Sequence, residues 1–345
     1  MISCFFKTFL GVLSLALLGG CPQQPPIETI HLSGPTMGTT WSVSLLSSSA
    51  EIDSEALEKK LQQRLDQING LMSTYDPASE ISRFNNQITD DWFPVAAETA
   101  EVIRLSRQIS ELTGGAFDIS VGPLVELWGF GASARKEHIP TDQQVSELLA
   151  RVGYGKLELR DEPLAIRKMI PLLRIDLSAV AKGYAVDLLA DLLKKQGINN
   201  FLLEIGGEIQ SAGHRLDGTP WRIGIEKPLD AVREVETILH LTGIGLATSG
   251  NYRNFYEEAG QRYSHTIDPV SGRPIRHKLA SVTVLDPSCA RADALATALM
   301  VLGEEQGRQL CEKNQIAAYF LIHEKDAILE YRSPAFLAFI EKMKI

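Results

Sequence analysis

The sequence predicts an α+β fold, because helical and strand-like segments are grouped along the chain instead of alternating strictly. Residues 54–71 and 95–112 carry apolar side chains at helical spacing, whereas most strand-like runs follow one another after residue 200. The chain has 345 residues, of which 44 % are apolar and 22 % are charged, and this composition is typical of a folded protein with a large core.

The predicted elements begin with a β-hairpin, in which residues 28–32 and 41–46 alternate as strands do and residues 34–38 form the turn. The two amphipathic helices come next, and they are expected to pack on a sheet. Further helices are predicted at residues 145–149, 179–193 with a stop signal near Gly197, 292–302 and 334–343. Further strands are predicted at residues 201–205, 221–225, 237–241, 245–248, 281–285 and 317–322.

The N-terminal segment predicts export and lipid attachment. Lys7 precedes an apolar run at residues 9–18 that is too short to cross a bilayer comfortably, and small residues precede Cys21. This pattern is typical of a lipoprotein signal peptide whose cleavage leaves Cys21 as the lipidated N-terminus, facing an oxidising compartment. The predicted boundaries are a signal peptide at residues 1–20, a polar tether at residues 21–27 and a folded domain at residues 28–345.

Charge and cysteine usage restrict the function further. The formal net charge of −9 argues against a nucleic-acid groove, which needs clustered Lys and Arg over a broad face. Once Cys4 is removed with the signal peptide and Cys21 is lipidated, Cys289 and Cys311 remain. They could pair or stay free, and their spacing is not of the metal-binding type.

Residues 176–187 predict an anion and metal site. A mostly apolar run at residues 172–175 ends in Asp176, and a helical pattern begins at once. Ser178 is a good N-cap, and the free N–H groups of the first turn, with the ammonium of Lys182, would attract phosphate. Asp176, at the predicted strand end, could hold a hydrated divalent cation. The alternative is a capped helix with a solvated lysine.

A second candidate site lies on the predicted helix at residues 292–302. Asp293 and Thr297 are four residues apart, so their oxygens share one helix face. Such hard oxygen ligands suit Mg²⁺, which takes few protein ligands and completes its shell with water and phosphate oxygens. Alternatively, Asp293 favours the helix N-terminus and Thr297 bonds back to a carbonyl.

Glycine-containing loops and aromatic residues extend the pattern. The loops at residues 113–118, 204–208 and 248–253 would let backbone N–H groups approach a ligand, although each could be an ordinary turn. Tyr75, Phe117 and Tyr252 could stack on a planar ring. Together with the phosphate and metal sites, these segments describe a diphosphate ligand with an aromatic part, and FAD would fit.

The polar segment at residues 263–274 supplies a candidate base. His265 and Asp268 lie close in this tight turn, and an imidazole could move a proton at neutral pH. The alternative is a histidine that closes the turn through a hydrogen bond to the backbone.

Ordered motifs cover nearly the whole predicted mature chain. They lie at residues 37–41, 72–75, 80–85, 114–124, 128–131, 176–187, 204–208, 247–250, 264–269 and 292–297. With these motifs, the chain resembles the FAD:protein FMN transferase family, also called ApbE. The resemblance implies an α+β fold, with a T-fold-like core of antiparallel sheet and packed helices. It also implies a lipid anchor on the periplasmic side of the inner membrane.

The resemblance implies a reaction in which FAD is cleaved, AMP is released and FMN is attached through a phosphoester to a threonine of a partner protein. Typical acceptors are subunits of sodium-pumping NADH:quinone oxidoreductases and related membrane redox complexes. By position, the resemblance implies Mg²⁺ ligation by Asp293, Thr297 and the backbone carbonyl of Ala179. It implies FAD contacts from Met37, Tyr75, Ala116, Phe117, Asp118, Asp176, Lys182 and His265.

The acceptor threonine must lose a proton, and His265 is the candidate base, with Asp268 orienting it. Two other functions stay open. If water attacks instead of threonine, the protein is a Mg²⁺-dependent FAD pyrophosphatase that yields FMN and AMP. A non-catalytic periplasmic flavin-binding lipoprotein is the second alternative, although a binder has little use for a carboxylate and a hydroxyl spaced for Mg²⁺.

Overall fold

The computed structural model describes residues 26–48, 52–131, 139–228, 234–251, 255–258, 260–325 and 327–343. The predicted signal peptide, the lipidation site Cys21, most of the tether and Tyr252 therefore lie outside the described residues. Within the described ranges, none of the helices combines the length and the apolar character needed to span a bilayer.

The described residues form both α-helices and β-strands, with the following bounds. The helices are α1 (Ser54–Met72), α2 (Glu80–Asn86), α3 (Ala97–Leu112), α4 (Gly122–Leu127), α5 (Asp142–Leu149), α6 (Ala181–Lys195), α7 (Cys289–Asn314) and α8 (Pro334–Met343). The strands are β1 (Ile27–Thr36), β2 (Thr39–Ser48), β3 (Phe93–Pro94), β4 (Leu157–Arg160), β5 (Ala165–Lys168), β6 (Phe201–Ile205), β7 (Glu208–Ala212), β8 (Trp221–Glu226), β9 (Val235–Leu241), β10 (Gly245–Gly250), β11 (Phe255–Glu258), β12 (Gln261–Ser264), β13 (Ile267–Asp268), β14 (Arg273–Pro274), β15 (Leu279–Asp286), β16 (Ala317–Glu324) and β17 (Ala327–Arg332).

An eight-stranded antiparallel sheet in the order β1-β2-β6-β7-β10-β15-β16-β17 is the centre of the fold. Helices α1, α3, α6 and α7 bury their apolar faces against one side of the sheet, and the β8–β9 hairpin and α8 cover the other. Alternate residues of β16 enter the two cores: Phe320 lies with the helices and Tyr319 lies with the hairpin. Burial on both faces explains why this strand reads as a continuous apolar run.

The prediction of an α+β fold is confirmed, and most predicted elements lie within a few residues of their observed bounds. The opening turn is shorter than predicted. Pro35 pairs with Thr40 inside the hairpin, and only Met37 and Gly38 form the loop, with φ angles of 46° and 72°. A two-residue loop with both φ angles positive matches the twist of the flanking strands, so the hairpin continues further than its turn-forming residues suggest.

The predicted strand-to-helix junction at Asp176 is wrong in two respects. Residues 172–175 are not a strand, and α6 begins at Ala181 without a side-chain cap. The Ser178 hydroxyl and N–H both donate to Asp176 Oδ1, at 2.5 and 2.9 Å. Because α6 begins only at Ala181, with Val180 at the cap position, Ser178 is not the cap, and its hydroxyl takes part in a local turn with Asp176.

Helix α7 is longer than predicted. Gly303, with φ 73° and ψ −175°, breaks the helical geometry at the predicted end, and the helix then continues to Asn314. Cys289 and Cys311 both lie on α7 as buried free thiols. Strand β7 was missed because it begins with a charged residue, Glu208, directly after a pair of glycines.

Helices α6 and α7 cross at their N-terminal ends with almost no space between them. A Cβ atom at Gly183 would lie 2.5 Å from the carbonyl oxygen of Cys289 and 2.8 Å from the Cα of Ala290. These are backbone atoms, which cannot rotate away as a side chain would. Glycine at position 183 is therefore what allows this close approach.

Replacing Gly183 with Ala should lower the free energy of unfolding by about 1 to 3 kcal/mol, because the new methyl group overpacks the helix crossing. Urea unfolding would measure the change. The control is Gly70→Ala in α1, where a Cβ would have no heavy atom within 4 Å. That variant should gain up to about 1 kcal/mol from helix propensity. Equal stability of the two variants would contradict the role assigned to the crossing.

Candidate active site at the α6–α7 crossing

A cavity of about 460 Å³ lies where α6, α7, β10 and the glycine loop after α3 meet. Most of the residues predicted as site residues line it together. They are Tyr75, Ala116, Phe117, Asp118, Asp176, Ala179, Lys182, His265, Asp293 and Thr297. These residues are far apart in the sequence, so the fold brings the separate motifs to a single place.

Asp293 connects the two helices at the floor of the cavity. Its Oδ2 accepts a hydrogen bond from the Gly183 N–H at 3.1 Å, and its side chain is buried. In an uninterrupted helix, that N–H would donate to the carbonyl of Ala179, four residues earlier. Helix α6 begins only at Ala181, so the contact with Asp293 takes the place of this bond.

Asp187, one turn further along α6, fixes the same crossing from the other side. Its carboxylate accepts from the Ser288 hydroxyl at 2.7 Å and from the N–H groups of Cys289 and Ala290 at 2.8 and 3.0 Å. These groups form the start of α7, whose free N–H donors a carboxylate can satisfy. Asp187 therefore sets the position of α7, and with it the position of Asp293.

The site contains a partly buried ion pair that the sequence analysis did not assign. Glu208, the first residue of β7, places Oε1 at 2.7 Å from the Nζ of Lys182. Burial and the nearby charge of Asp293 raise the pKa of Glu208 to about 7, although the Lys182 ammonium opposes them. For Lys182, burial lowers the pKa, but the carboxylates of Asp293 and Glu208 outweigh it, and the pKa is raised.

The oxygen atoms around Asp293 fit a hard divalent cation. Thr297 lies one turn after Asp293 on α7, and its hydroxyl is 3.3 Å from that of Ser249. In the described part of the chain, no three His, Cys, Asp or Glu side chains are grouped as a set of metal ligands. A cation here would have one carboxylate, one hydroxyl and the Ala179 carbonyl, with water or phosphate as further ligands. That arrangement is typical of Mg²⁺.

The glycine loop after α3 presents aromatic and polar groups to the cavity. Gly114 and Gly115 have positive φ angles, which let the chain turn sharply before Phe117. Asp118 accepts from Ser120 N–H at 2.7 Å and from Tyr154 N–H at 2.7 Å, and burial nevertheless raises its pKa. Its carboxylate therefore also holds the loop in shape.

Hydrogen bonds to Asn85 and to Ile119 hold the backbone at residues 175–176, where Asp176 lines the cavity. Asn85, in α2, donates to the carbonyl of Ile175 and accepts from its N–H, both at 2.8 Å. The N–H of Asp176 donates to the Ile119 carbonyl at 2.7 Å. Asn85 belongs to a motif at residues 80–85, but sequence spacing gave no sign of this contact across 90 residues.

Aromatic side chains also line the cavity. Tyr75 is 67 % exposed, and burial of its remaining surface, with the charges of Asp176 and Glu126, raises its pKa. His265 also lines the cavity, with its ring edge-to-face against Phe130 at a centroid distance of 6.3 Å.

Two predicted site residues do not line the cavity. Asp268 accepts from the N–H groups of Val270 and Ser271 at 2.9 and 3.2 Å, which closes the turn between β13 and β14. Met37 lies in the β1–β2 turn. The proposed orientation of His265 by Asp268 and the FAD contact of Met37 stay predictions.

The sequence profile of the ApbE family matches residues 37–320. The chain belongs to the ApbE family. The resemblance drawn from the motifs is thereby confirmed.

Proteins named FAD:protein FMN transferase are similar to the chain over nearly its full length. A protein of Vibrio cholerae named FAD:protein FMN transferase is 45 % identical over 333 residues, covering 96 % of this chain and 98 % of that protein. One of the same name from Escherichia coli K12 is 39 % identical over 346 residues, covering 98 % of each. The solved structure of the flavin transferase ApbE from Vibrio cholerae matches with a TM-score of 0.85 at 45 % identity, covering 91 % of this chain and 99 % of that one.

The raised pKa of Glu208 predicts a pH dependence of stability in the metal-free protein. The unfolded chain loses this proton near the ordinary glutamate pKa of 4.5, whereas the folded protein keeps it up to about 7. The contribution of Glu208 to stability is therefore fully present below the unfolded pKa and is lost as the pH rises through the folded pKa.

Thermal unfolding of wild type and Glu208→Gln would measure this effect. The Tm of the wild type relative to the variant should fall between about pH 4.5 and about pH 7, since only the wild type carries the titrating group. Glu204→Gln, at an exposed position on the neighbouring strand, should show no such trend. A constant Tm difference between wild type and Glu208→Gln would contradict the assignment.

Proposed function

We propose that this chain is a Mg²⁺-dependent FAD:protein FMN transferase that attaches FMN through a phosphoester to a threonine of an acceptor protein and releases AMP. The enzyme class rests on the named relatives. The observation that carries the reaction is the meeting of the Lys182 ammonium, the start of α6 and the oxygens of α7 in one cavity. Those groups suit a diphosphate and the cation that accompanies it.

Positioning and charge neutralisation are what this transfer requires. The threonine oxygen forms a bond to the phosphorus of the FMN half, and the bond from that phosphorus to the bridging oxygen breaks. AMP leaves with the electron pair. The Lys182 ammonium and the positive end of α6 favour the charge that develops on the phosphoryl oxygens.

Asp293, Thr297 and the Ala179 carbonyl would hold the Mg²⁺. When bound, the ion supplies further charge neutralisation at the diphosphate. Asp293 also fixes the helix crossing, since it accepts a hydrogen bond from α6. This one residue would therefore both bind the ion and join the two helix ends.

Tyr75 and Phe117 are proposed to contact the aromatic parts of FAD, since both line the cavity. His265 is proposed as the base that takes the proton from the threonine hydroxyl onto a ring nitrogen. Its position beside Phe130 and in the cavity wall supports this role.

We propose that the enzyme is anchored through lipidated Cys21 to the periplasmic side of the inner membrane. Its acceptors would be subunits of membrane redox complexes of the sodium-pumping NADH:quinone oxidoreductase type. The basis is the N-terminal sequence pattern and the family resemblance.

Asp293→Ala should reduce FMN transfer by about 100-fold or more, because it removes a charged ligand of the cation and the contact to α6. The assay incubates enzyme, FAD and Mg²⁺ with an acceptor subunit and follows the mass gain of one FMN. The control is Glu305→Ala, at an exposed position on the same helix. Release of free FMN without any mass gain would identify the protein as a pyrophosphatase, and FAD binding without turnover would identify a carrier.

His265→Ala should reduce transfer by about 100-fold or more and weaken FAD binding far less, since the main loss is that of the base that acts on the acceptor proton. FAD affinity is measured by fluorescence quenching and transfer by acceptor mass. His214→Ala, at an exposed position outside the cavity lining, is the control. Wild-type transfer by His265→Ala would remove this residue from the role of base.

Cys21→Ser should abolish fatty-acid attachment, because it removes the site of lipid attachment. Metabolic labelling with a tagged fatty acid measures this effect. Equal labelling of wild type and variant would refute lipidation at this position.

A further inference from the structure

Glu208 is a buried carboxylate with one strong partner. Its side chain is 5 % exposed, and it lines the cavity at the start of β7. Oε1 lies 2.7 Å from the ammonium of Lys182. Oε2 is also buried, and no hydrogen-bond partner for it is present in the described residues. A carboxylate placed only to stabilise the fold would use both oxygens.

The ammonium of Lys182 has two carboxylates within electrostatic reach. Asp293 and Glu208 both raise the pKa of Lys182, but only Glu208 makes the direct ion pair. Asp293 instead accepts a hydrogen bond from the N–H of Gly183. At short range in a buried site, an ammonium paired with Asp293 would compete with any cation for the same oxygens.

We propose that Glu208 is a positioning residue that holds the Lys182 ammonium away from Asp293. The Asp293 carboxylate is thereby left for a divalent cation, and the ammonium is kept beside the cavity where an anionic substrate enters. The inference rests on the proposed function, because that function places the cation at Asp293.

A simpler electrostatic account exists and makes a different prediction. Glu208 adds one negative charge near the cation site, and its removal would weaken cation binding even if Lys182 did not move. If only net charge mattered, replacing Glu208 would reduce the affinity for the cation by the same factor whether or not Lys182 is present. Positioning requires that the loss depends on Lys182, so the two accounts differ in the coupling between these residues.

A double-mutant cycle on the full folded domain tests this coupling. The affinity for Mn²⁺, used as the probe without FAD, is measured by electron paramagnetic resonance for wild type, Glu208→Gln, Lys182→Met and the double variant. Glu305→Gln, which makes the same chemical change at an exposed position on α7, is the matched control. Circular dichroism verifies that each variant is folded.

Glu208→Gln should weaken Mn²⁺ binding by about 10- to 100-fold in the presence of Lys182, the range typical of residues that orient metal ligands. In the Lys182→Met background, the same change should have a much smaller effect. An equal loss in both backgrounds, or no loss in either, overturns the proposal. If Glu208→Gln does not fold, the double variant is compared with Lys182→Met. Much weaker Mn²⁺ binding by the double variant overturns the proposal, and equal binding supports it.

The outcome also separates this inference from the proposed function. If the wild type binds no Mn²⁺ at this site, the metal site of the proposed function fails and the inference fails with it. If the wild type binds Mn²⁺ and Asp293→Ala does not, but Glu208→Gln binds as the wild type does, the proposed function stands and only the role of Glu208 is refuted.

Discussion

The crossing of α6 and α7 is the constraint on which the rest of the site depends. Three residues determine this crossing. Asp293 accepts a hydrogen bond from an N–H of α6, and Asp187 accepts hydrogen bonds from N–H groups at the start of α7. Gly183 has no side chain, which lets the two helices approach closely. Each carboxylate satisfies backbone N–H groups that a helix leaves free at its first turn. The two helix ends are thus joined by hydrogen bonds that also place a carboxylate in the cavity.

This arrangement buries charges that would be costly without partners. Lys182, Glu208 and Asp293 lie together at the cavity, where Glu208 pairs directly with the Lys182 ammonium and Asp293 lies within electrostatic reach of it. Such a group is not the most stable way to fill a core, since apolar residues of similar volume often serve as well or better. The excess negative charge and the adjacent cavity instead suit the binding of a cation and an anionic ligand.

Much of the fold followed from sequence periodicity, and the errors have local causes. The helices at residues 54–72 and 97–112 and the strand Phe201–Ile205 were found, because their apolar residues recur at the period of the element. The strand before Asp176 and the cap at Ser178 were wrong, because residues 173–177 are irregular and α6 begins only at Ala181, after a local turn in which Ser178 donates to Asp176. Strand β7 was missed because its first residue, Glu208, is charged, and only its ion pair with Lys182 in the folded protein accounts for its burial.

The sequence by itself determined the family, the α+β class and most of the candidate site, because ordered motifs and residue types carry that information. It singled out Asp293, Thr297 and Lys182 as residues able to bind a cation and a phosphate. Only the tertiary structure decided that Glu208 pairs with Lys182, that Asp187 fixes α7, and that Asp268 closes a turn outside the cavity lining. These contacts join residues from different elements, and their geometry depends on how helices pack on the sheet, which no local pattern encodes.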